Sequence, residues 1–129
     1  MRRITRVLMG MAVAASAAVP ALASPEGVWE FDTRDTRVEV SLCGDGTALC
    51  GRLVWLKDTS YNEQYEPYLD TLMVDRATQR GPNRWEGEMT FFGQKAGGTI
   101  TQTGADRMTI KGCIMLVLCK TYKLRRYED

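Results

Sequence analysis

The chain has 129 residues, a formal charge of +1 and no histidine. This composition excludes a His general base and gives no basic surplus for nucleic acid or for an anionic membrane surface. Residues 1–23 are typical of a secretory signal peptide, because a basic start precedes an apolar run too short to span a bilayer, and small residues follow it. We expect cleavage after Ala23, no lipid anchor, and one periplasmic domain of residues 24–129.

All four cysteines follow the predicted cleavage point, and an oxidising compartment favours disulfides there. We predict the pairs Cys43–Cys50 and Cys113–Cys119, because each lies across a hairpin whose register also brings apolar residues together. A Zn site is the alternative, but the spacings lack the C-x2-C pattern and the chain offers no His ligand. The sequence therefore predicts two disulfides, no metal and no cofactor.

The first predicted strand covers residues 26–32, where Trp29 and Phe31 alternate onto one face, and a turn follows at 32–35. Residues 38–56 are then typical of a disulfide-clamped hairpin. We predict that its two cysteines face each other directly and that a two-residue type II′ turn has Gly at its first position. This register turns four apolar side chains inward, and they are Val38, Val40, Leu53 and Trp55.

Residues 58–70 lack a strand pattern and are predicted to form a long loop with one helical turn. The loop carries Tyr61, Tyr65 and Tyr68, whose spacing would stack three rings on one side of that turn. They could form a lid or an aromatic platform for a ligand. The interpretation that we favour is a loop fastened over a barrel mouth by its own aromatics. Its acidic residues lack the EF-hand pattern for Ca²⁺, and residues 71–78 fit a strand or a short helix.

Turn signals divide the remainder of the chain into short strands. The predicted strands are residues 85–92, 99–103 and 108–113 and a last strand through Tyr122 and Leu124, with turns at 80–83, 96–98 and 104–106. In the last hairpin a register with the two cysteines opposed places Ile110 against Tyr122 and Met108 against Leu124.

The tip of that last hairpin, residues 114–118, is wholly apolar. Hairpin tips are usually polar, so this one either folds back to plug the barrel end or is exposed to contact a partner, a membrane or a ligand. We favour the plug, because an exposed apolar patch lowers solubility. Short strands at regular spacing predict an all-β fold, either a sandwich or a barrel, and we prefer an antiparallel barrel of about eight strands with little helix.

Several motifs resemble an uncharacterised family of exported bacterial proteins, catalogued as a domain of unknown function. They are Gly27-x-Trp29, Cys43-Gly44-Asp45, Leu49-Cys50-Gly51-x-x-Val54-Trp55-Leu56-Lys57, Gly112-Cys113 and Leu118-Cys119. The resemblance implies a periplasmic, lipocalin-like β-barrel and no established activity. Gly27-x-Trp29 is also similar to the lipocalin opening signature, in which the Trp closes one barrel end against a basic residue of the last strand. Arg125 or Arg126 could supply that contact.

Two functions are compatible with these features. The first is a binding module for a small apolar or amphipathic molecule in or at the mouth of the barrel. Its predicted ligand-binding residues are Trp29, Val38, Val40, Leu53, Trp55, Tyr61, Tyr65, Tyr68, Ile110 and Tyr122. The alternative is an envelope protein-interaction or structural module with a filled core, acting through the apolar tip 114–118 and the Tyr-rich loop 58–70. We expect no catalytic residues, no nucleic-acid partner and no membrane-spanning segment, and the oligomeric state stays open.

Overall fold

The computed structural model describes residues 23–58, 63–115 and 117–128. Ala23 is therefore the only residue of the predicted signal peptide that it describes, and Tyr61 and Leu116 also lie outside the described residues. Eight antiparallel strands form a closed barrel, each hydrogen-bonded to the next in sequence and the last to the first. They are β1 (Gly27–Phe31), β2 (Thr36–Cys43), β3 (Ala48–Leu56), β4 (Leu72–Gly81), β5 (Arg84–Phe91), β6 (Gln94–Gly104), β7 (Arg107–Ile114) and β8 (Leu118–Arg126). The predicted all-β barrel is confirmed.

The connections between strands lie at two opposite ends, because every neighbouring pair of strands is antiparallel. We call one end the closed end; it holds residues 23–26 and the turns 44–47, 82–83 and 105–106. The other end is the mouth; it holds the turn 32–35, the turn 92–93 and the described residues of the loop 57–71 and of the tip 114–118. Among the loop residues that the structure describes, Glu66–Tyr68 form a 3₁₀ turn, and the segment after the loop is a strand, not a helix.

The core fills the barrel from its closed end upward. Inward side chains alternate along most of the strands, as a sheet with one buried face requires, and the alternation is interrupted where the pairing of β3 and β4 is irregular, so that Met73 and Val74 are both buried. Trp29, Leu53 and Met89 are completely buried and lie in one contiguous cluster with the inward residues of the other strands. Burial of this apolar surface is the main favourable term in the stability of so small a domain.

The register predicted for the first hairpin is wrong by two residues. Cys43 is paired with Ala48, so that its disulfide to Cys50 joins diagonal neighbours on one face, with 6.0 Å between the Cα atoms. The turn has four residues, 44–47, instead of two. Asp45 stabilises it by accepting hydrogen bonds from the hydroxyl and the backbone N–H of Thr47, which hold the pKa of this carboxyl below its usual value.

The prediction that Trp55 faces inward is also wrong. Arg37 pairs with Trp55 whereas Val38 pairs with Leu53, so β3 has an extra residue at this point. A bulge of this kind reverses the alternation that follows it. Leu56 consequently enters the core, and Trp55 turns to the outer surface, where the Arg37 guanidinium lies 3.8 Å from its ring centre.

The turn predicted at residues 96–98 is wrong as well, because these residues lie within β6. The chain turns instead at Phe92 and Gly93, whose φ angles of 51° and 87° are those of a two-residue type I′ turn. The register predicted for the last hairpin is confirmed: Cys113 faces Cys119 and Ile110 faces Tyr122.

Candidate functional site

The closed end of the barrel is sealed by Trp29 and Arg126. The Trp29 indole N–H donates to the carbonyl of Pro25 at 2.8 Å, and the Arg126 guanidinium lies 4.4 Å from the centre of its ring. Arg126 also donates to the backbone carbonyls of Ser24, Glu26 and Ala105. The basic partner expected for Trp29 is therefore Arg126 and not Arg125, and the pocket at this end, of about 180 Å³, is half the volume of the one at the mouth.

Five of the residues predicted to line a ligand cavity pack against one another instead. They are Trp29, Val38, Val40, Leu53 and Ile110, which are at most 5 % exposed and belong to the core cluster. The lower part of the barrel is consequently filled, as we expect for the alternative function of an interaction or structural module with a filled core. A ligand site has to be sought higher, at the mouth.

A pocket of about 360 Å³ opens at the mouth. Its floor consists of Phe31, Phe91 and Tyr122, and the Tyr122 ring centre lies 5.3 Å from that of Phe31 and 5.7 Å from that of Phe91. The other lining residues come from β2, β3, β4, β8 and the mouth connections, and they are Thr33, Asp35, Thr36, Leu56, Tyr65, Met73, Phe92 and Lys120. The site is thus an aromatic cup whose rim carries polar groups.

The loop before β4 forms one wall of this pocket. Tyr65 and Tyr68 both contact Phe92, with ring centres 4.6 and 5.9 Å away. A Cβ at position 93 would lie only 2.6 Å from the Tyr68 hydroxyl oxygen, so the close approach of loop and turn needs a glycine there. Two of the three predicted tyrosines are therefore brought to the mouth, Tyr65 as lining and Tyr68 as a brace, and Tyr61 lies outside the described residues.

The rim of the pocket carries two opposite charges that are not paired with each other. The Asp35 carboxylate accepts hydrogen bonds from the hydroxyls of Thr33 and Thr36 at 2.6 and 3.0 Å. Lys120 is exposed, and its ammonium nitrogen lies 5.4 Å from the Tyr122 ring centre. None of the ion pairs among residues 23–58, 63–115 and 117–128 involves Lys120. Its charge is available to an anion at the rim.

Sequence reasoning missed most of the mouth residues. The sequence already indicated Lys120, because the confirmed register of the last hairpin places its side chain on the same face of β8 as that of Tyr122. Phe91 likewise lies on the same face of β5 as the buried Met89. Asp35 and Met73 join the site only because the barrel closes, which a local pattern does not reveal.

The apolar tip does not plug the barrel. Met115, Val117 and Leu118 are 80 %, 76 % and 65 % exposed. The Val117 N–H donates to the Ile114 carbonyl at 3.3 Å in a short turn, and neither Met115 nor Val117 lines the mouth pocket. The expectation of a plug is therefore wrong for the tip residues that the structure describes.

Two larger hollows lie on the outer surface of the barrel. One, of about 630 Å³, runs over Gly97 between β5, β6 and β7, and the other, of about 520 Å³, runs along β7 and β8. Both are troughs on the outside of the sheet and lack the ring of aromatics that encloses the mouth pocket. Within the described ranges no cluster of three or more His, Cys, Asp or Glu side chains could hold a metal ion, and no helix is long and apolar enough to cross a bilayer.

Comparison with known proteins gives one result. No curated protein and no solved structure matches the chain significantly. A family model described as an uncharacterized protein conserved in bacteria (DUF2147) matches residues 27–126, which run from the first residue of β1 to the last residue of β8. The two disulfides are typical of proteins in an oxidising, extracytoplasmic compartment. The chain belongs to this bacterial family, DUF2147.

Proposed function

We propose that the protein is a periplasmic binding module, and not an enzyme, that holds one small amphipathic molecule at the mouth of the barrel. The observation that carries the proposal is the mouth pocket, whose volume of about 360 Å³ lies within the ~300 to 1,000 Å³ of typical ligand sites. The predicted signal peptide supports the compartment.

The chemistry of the pocket favours an apolar body with an anionic end. Phe31, Phe91 and Tyr122 offer an apolar floor on which an alkyl chain or a ring would lie out of water. Lys120 offers an ammonium without a carboxylate partner at the rim, whereas the Asp35 carboxylate already accepts two hydroxyl hydrogen bonds. An anionic head would therefore lie toward Lys120 and the apolar part toward the floor.

Binding of fluorescent probes tests the site. Neutral N-phenyl-1-naphthylamine should bind one to one, and Thr33→Trp should weaken it at least about tenfold, because the indole would occupy the rim of the pocket. Thr121→Trp, on the outer face of β8, is the matched control and should bind like wild type. Binding that is not saturable, or that Thr33→Trp leaves unchanged, would contradict the proposal.

The preference for an anionic end is tested separately by competition with dodecanoate. Lys120→Gln should weaken dodecanoate about fivefold, which is the effect of one solvent-exposed charge pair of about 1 kcal/mol. The same variant should leave the neutral probe unchanged. Equal losses for both compounds would show that Lys120 supports the pocket without selecting charge.

A further inference from the structure

The last hairpin, β7 and β8 with the tip between them, carries a charge unlike that of the rest of the chain. Residues 107–126 contain six Lys and Arg residues and no Asp or Glu, whereas all sixteen acidic residues lie elsewhere. The near-zero total charge hides this segregation. The hairpin is therefore a basic element on an otherwise acidic domain.

The tip of this basic hairpin is its most exposed apolar surface. Met115, Val117 and Leu118 project into solvent, and the Cys113–Cys119 disulfide joins the two strands directly beneath them. A disulfide at the base restricts the tip before any contact is made, which lowers the entropy lost on binding. Large exposed apolar side chains of this kind mark sites of protein or membrane contact.

Each of the two strands that the tip joins carries a lysine near the tip. Lys111 borders the same surface hollow as Met115, and Lys120 lies two residues beyond Leu118 at the mouth. Both are exposed, and neither takes part in any of the ion pairs that the described residues form. Lys95 lies beside the same hollow but faces Glu88 at 4.0 Å. The unpaired charge next to the tip is therefore positive.

We propose that the tip inserts into an anionic phospholipid bilayer, with Lys111 and Lys120 in contact with the headgroups. A convex tip of a few side chains offers far less than the ~800 Å² per partner of a stable protein interface. Apolar side chains in the acyl region with lysines at the headgroup level are, by contrast, the combination that binds anionic membranes. The docked orientation turns the mouth toward the lipid, but docking itself does not depend on an occupied pocket.

Vesicle flotation tests the proposal with the intact, oxidised protein. Vesicles of equal parts phosphatidylcholine and phosphatidylglycerol should bind the protein, and vesicles of phosphatidylcholine alone should bind it at least about tenfold more weakly. Raising the salt concentration should release the protein from the mixed vesicles. Equal binding to both compositions, or binding to neither, would overturn the proposal.

Two sets of variants separate the apolar and the charged contributions. Met115→Gln with Val117→Thr should reduce binding to mixed vesicles about tenfold or more, whereas Val54→Thr, on the outer face of β3, should not change it. Lys111→Gln with Lys120→Gln should reduce binding about fivefold for each lysine, and Arg80→Gln at the closed end should not. Near-UV circular dichroism checks that each variant is folded.

Other molecules that could cover the tip would give different results in these binding experiments. If a second copy of the chain covers the tip, the protein forms dimers without vesicles, and the tip variant abolishes them. If a protein partner covers the tip in place of a membrane, the protein binds neither kind of vesicle. Either result overturns membrane docking.

Discussion

Gly98 and Gly97 are adjacent in β6, yet an added methyl group should have opposite effects at the two positions. Gly98 faces inward, and a Cβ there would lie 2.5 Å from the Lys111 carbonyl oxygen and would also contact the end of the Met89 side chain. Met89 is flexible, but the carbonyl belongs to the backbone of β7, where Lys111 is paired with both Thr99 and Thr121. Gly98→Ala therefore forces two paired strands apart.

The cost follows from the geometry. Contacts below 3.0 Å are essentially never made by a Cβ, so the strands must separate by at least about 0.5 Å, and overpacking of this kind costs about 1 to 3 kcal/mol. A loss of about 2 kcal/mol should lower the midpoint of thermal unfolding by roughly 10 °C in a domain of this size. At Gly97 nothing lies within 4 Å of an added Cβ, so Gly97→Ala should be neutral or stabilising by up to about 1 kcal/mol.

Urea unfolding followed by tryptophan fluorescence measures both variants under oxidising conditions. We expect Gly98→Ala to shift the midpoint without changing the slope, which would show a change in stability and not in the unfolded chain. If the two variants agree within about 0.5 kcal/mol, the contact with the Lys111 carbonyl does not determine the cost, since the two positions are adjacent and differ mainly in whether the side chain points into or out of the barrel.

Two further predictions concern the closed end. Arg126→Gln should cost about 2 to 3 kcal/mol of unfolding free energy, because it removes the stacking on Trp29 and the charged hydrogen bonds to backbone carbonyls; Arg125→Gln should cost under about 0.5 kcal/mol in the same urea titration. Asp45 has a lowered pKa in the fold, so its charge stabilises the fold above its unfolded pKa, and this contribution is lost as the pH falls through the folded pKa. Asp45→Asn should therefore be less stable than wild type near neutral pH, and the difference measured by urea titration should shrink in strong acid; a difference independent of pH would contradict the assignment.

The two hairpins show how far cysteine positions determine a register. In the last hairpin the opposed cysteines, the alternation and the short tip all agree on one register, and the prediction is confirmed. In the first, a disulfide on one face of a sheet is compatible with direct and with diagonal neighbours. The Asp45 hydrogen bonds to Thr47 and the hydrogen bond from the Trp85 indole to the Thr47 carbonyl accompany the longer turn and the diagonal pair.

Trp55 illustrates a second limit of periodicity. Alternation along residues 49–55 predicts an inward Trp, and nothing in the local sequence marks the bulge that turns it outward. Arg37 stabilises the outward ring from a neighbouring strand, and it also lies 3.7 Å from the Tyr127 ring centre and 2.9 Å from a Glu30 carboxylate oxygen. This arrangement depends on four segments of the chain, β1, β2, β3 and the residues after β8, and could not be read from any one of them.

The mouth pocket was predictable only in part. Tyr65 of the loop lies at the mouth as expected, and Tyr122, which was expected to line the barrel interior, also lines the mouth pocket. The larger inward residues were expected to surround a ligand, but in a barrel of eight strands they meet one another and fill the interior. The volume left over lies above them, and its position depends on how the loop 57–71 and the turn at Phe92 approach each other.

Native mass spectrometry of the protein, isolated with both disulfides intact from the cells that make it, tests the central claim most directly. If the mouth holds an amphipathic molecule, the spectrum should show the protein with one additional discrete small mass. The mass should be absent from Thr33→Trp prepared in the same way and retained by Thr121→Trp. A spectrum with the unliganded protein alone, or an added mass that Thr33→Trp retains, would contradict the account.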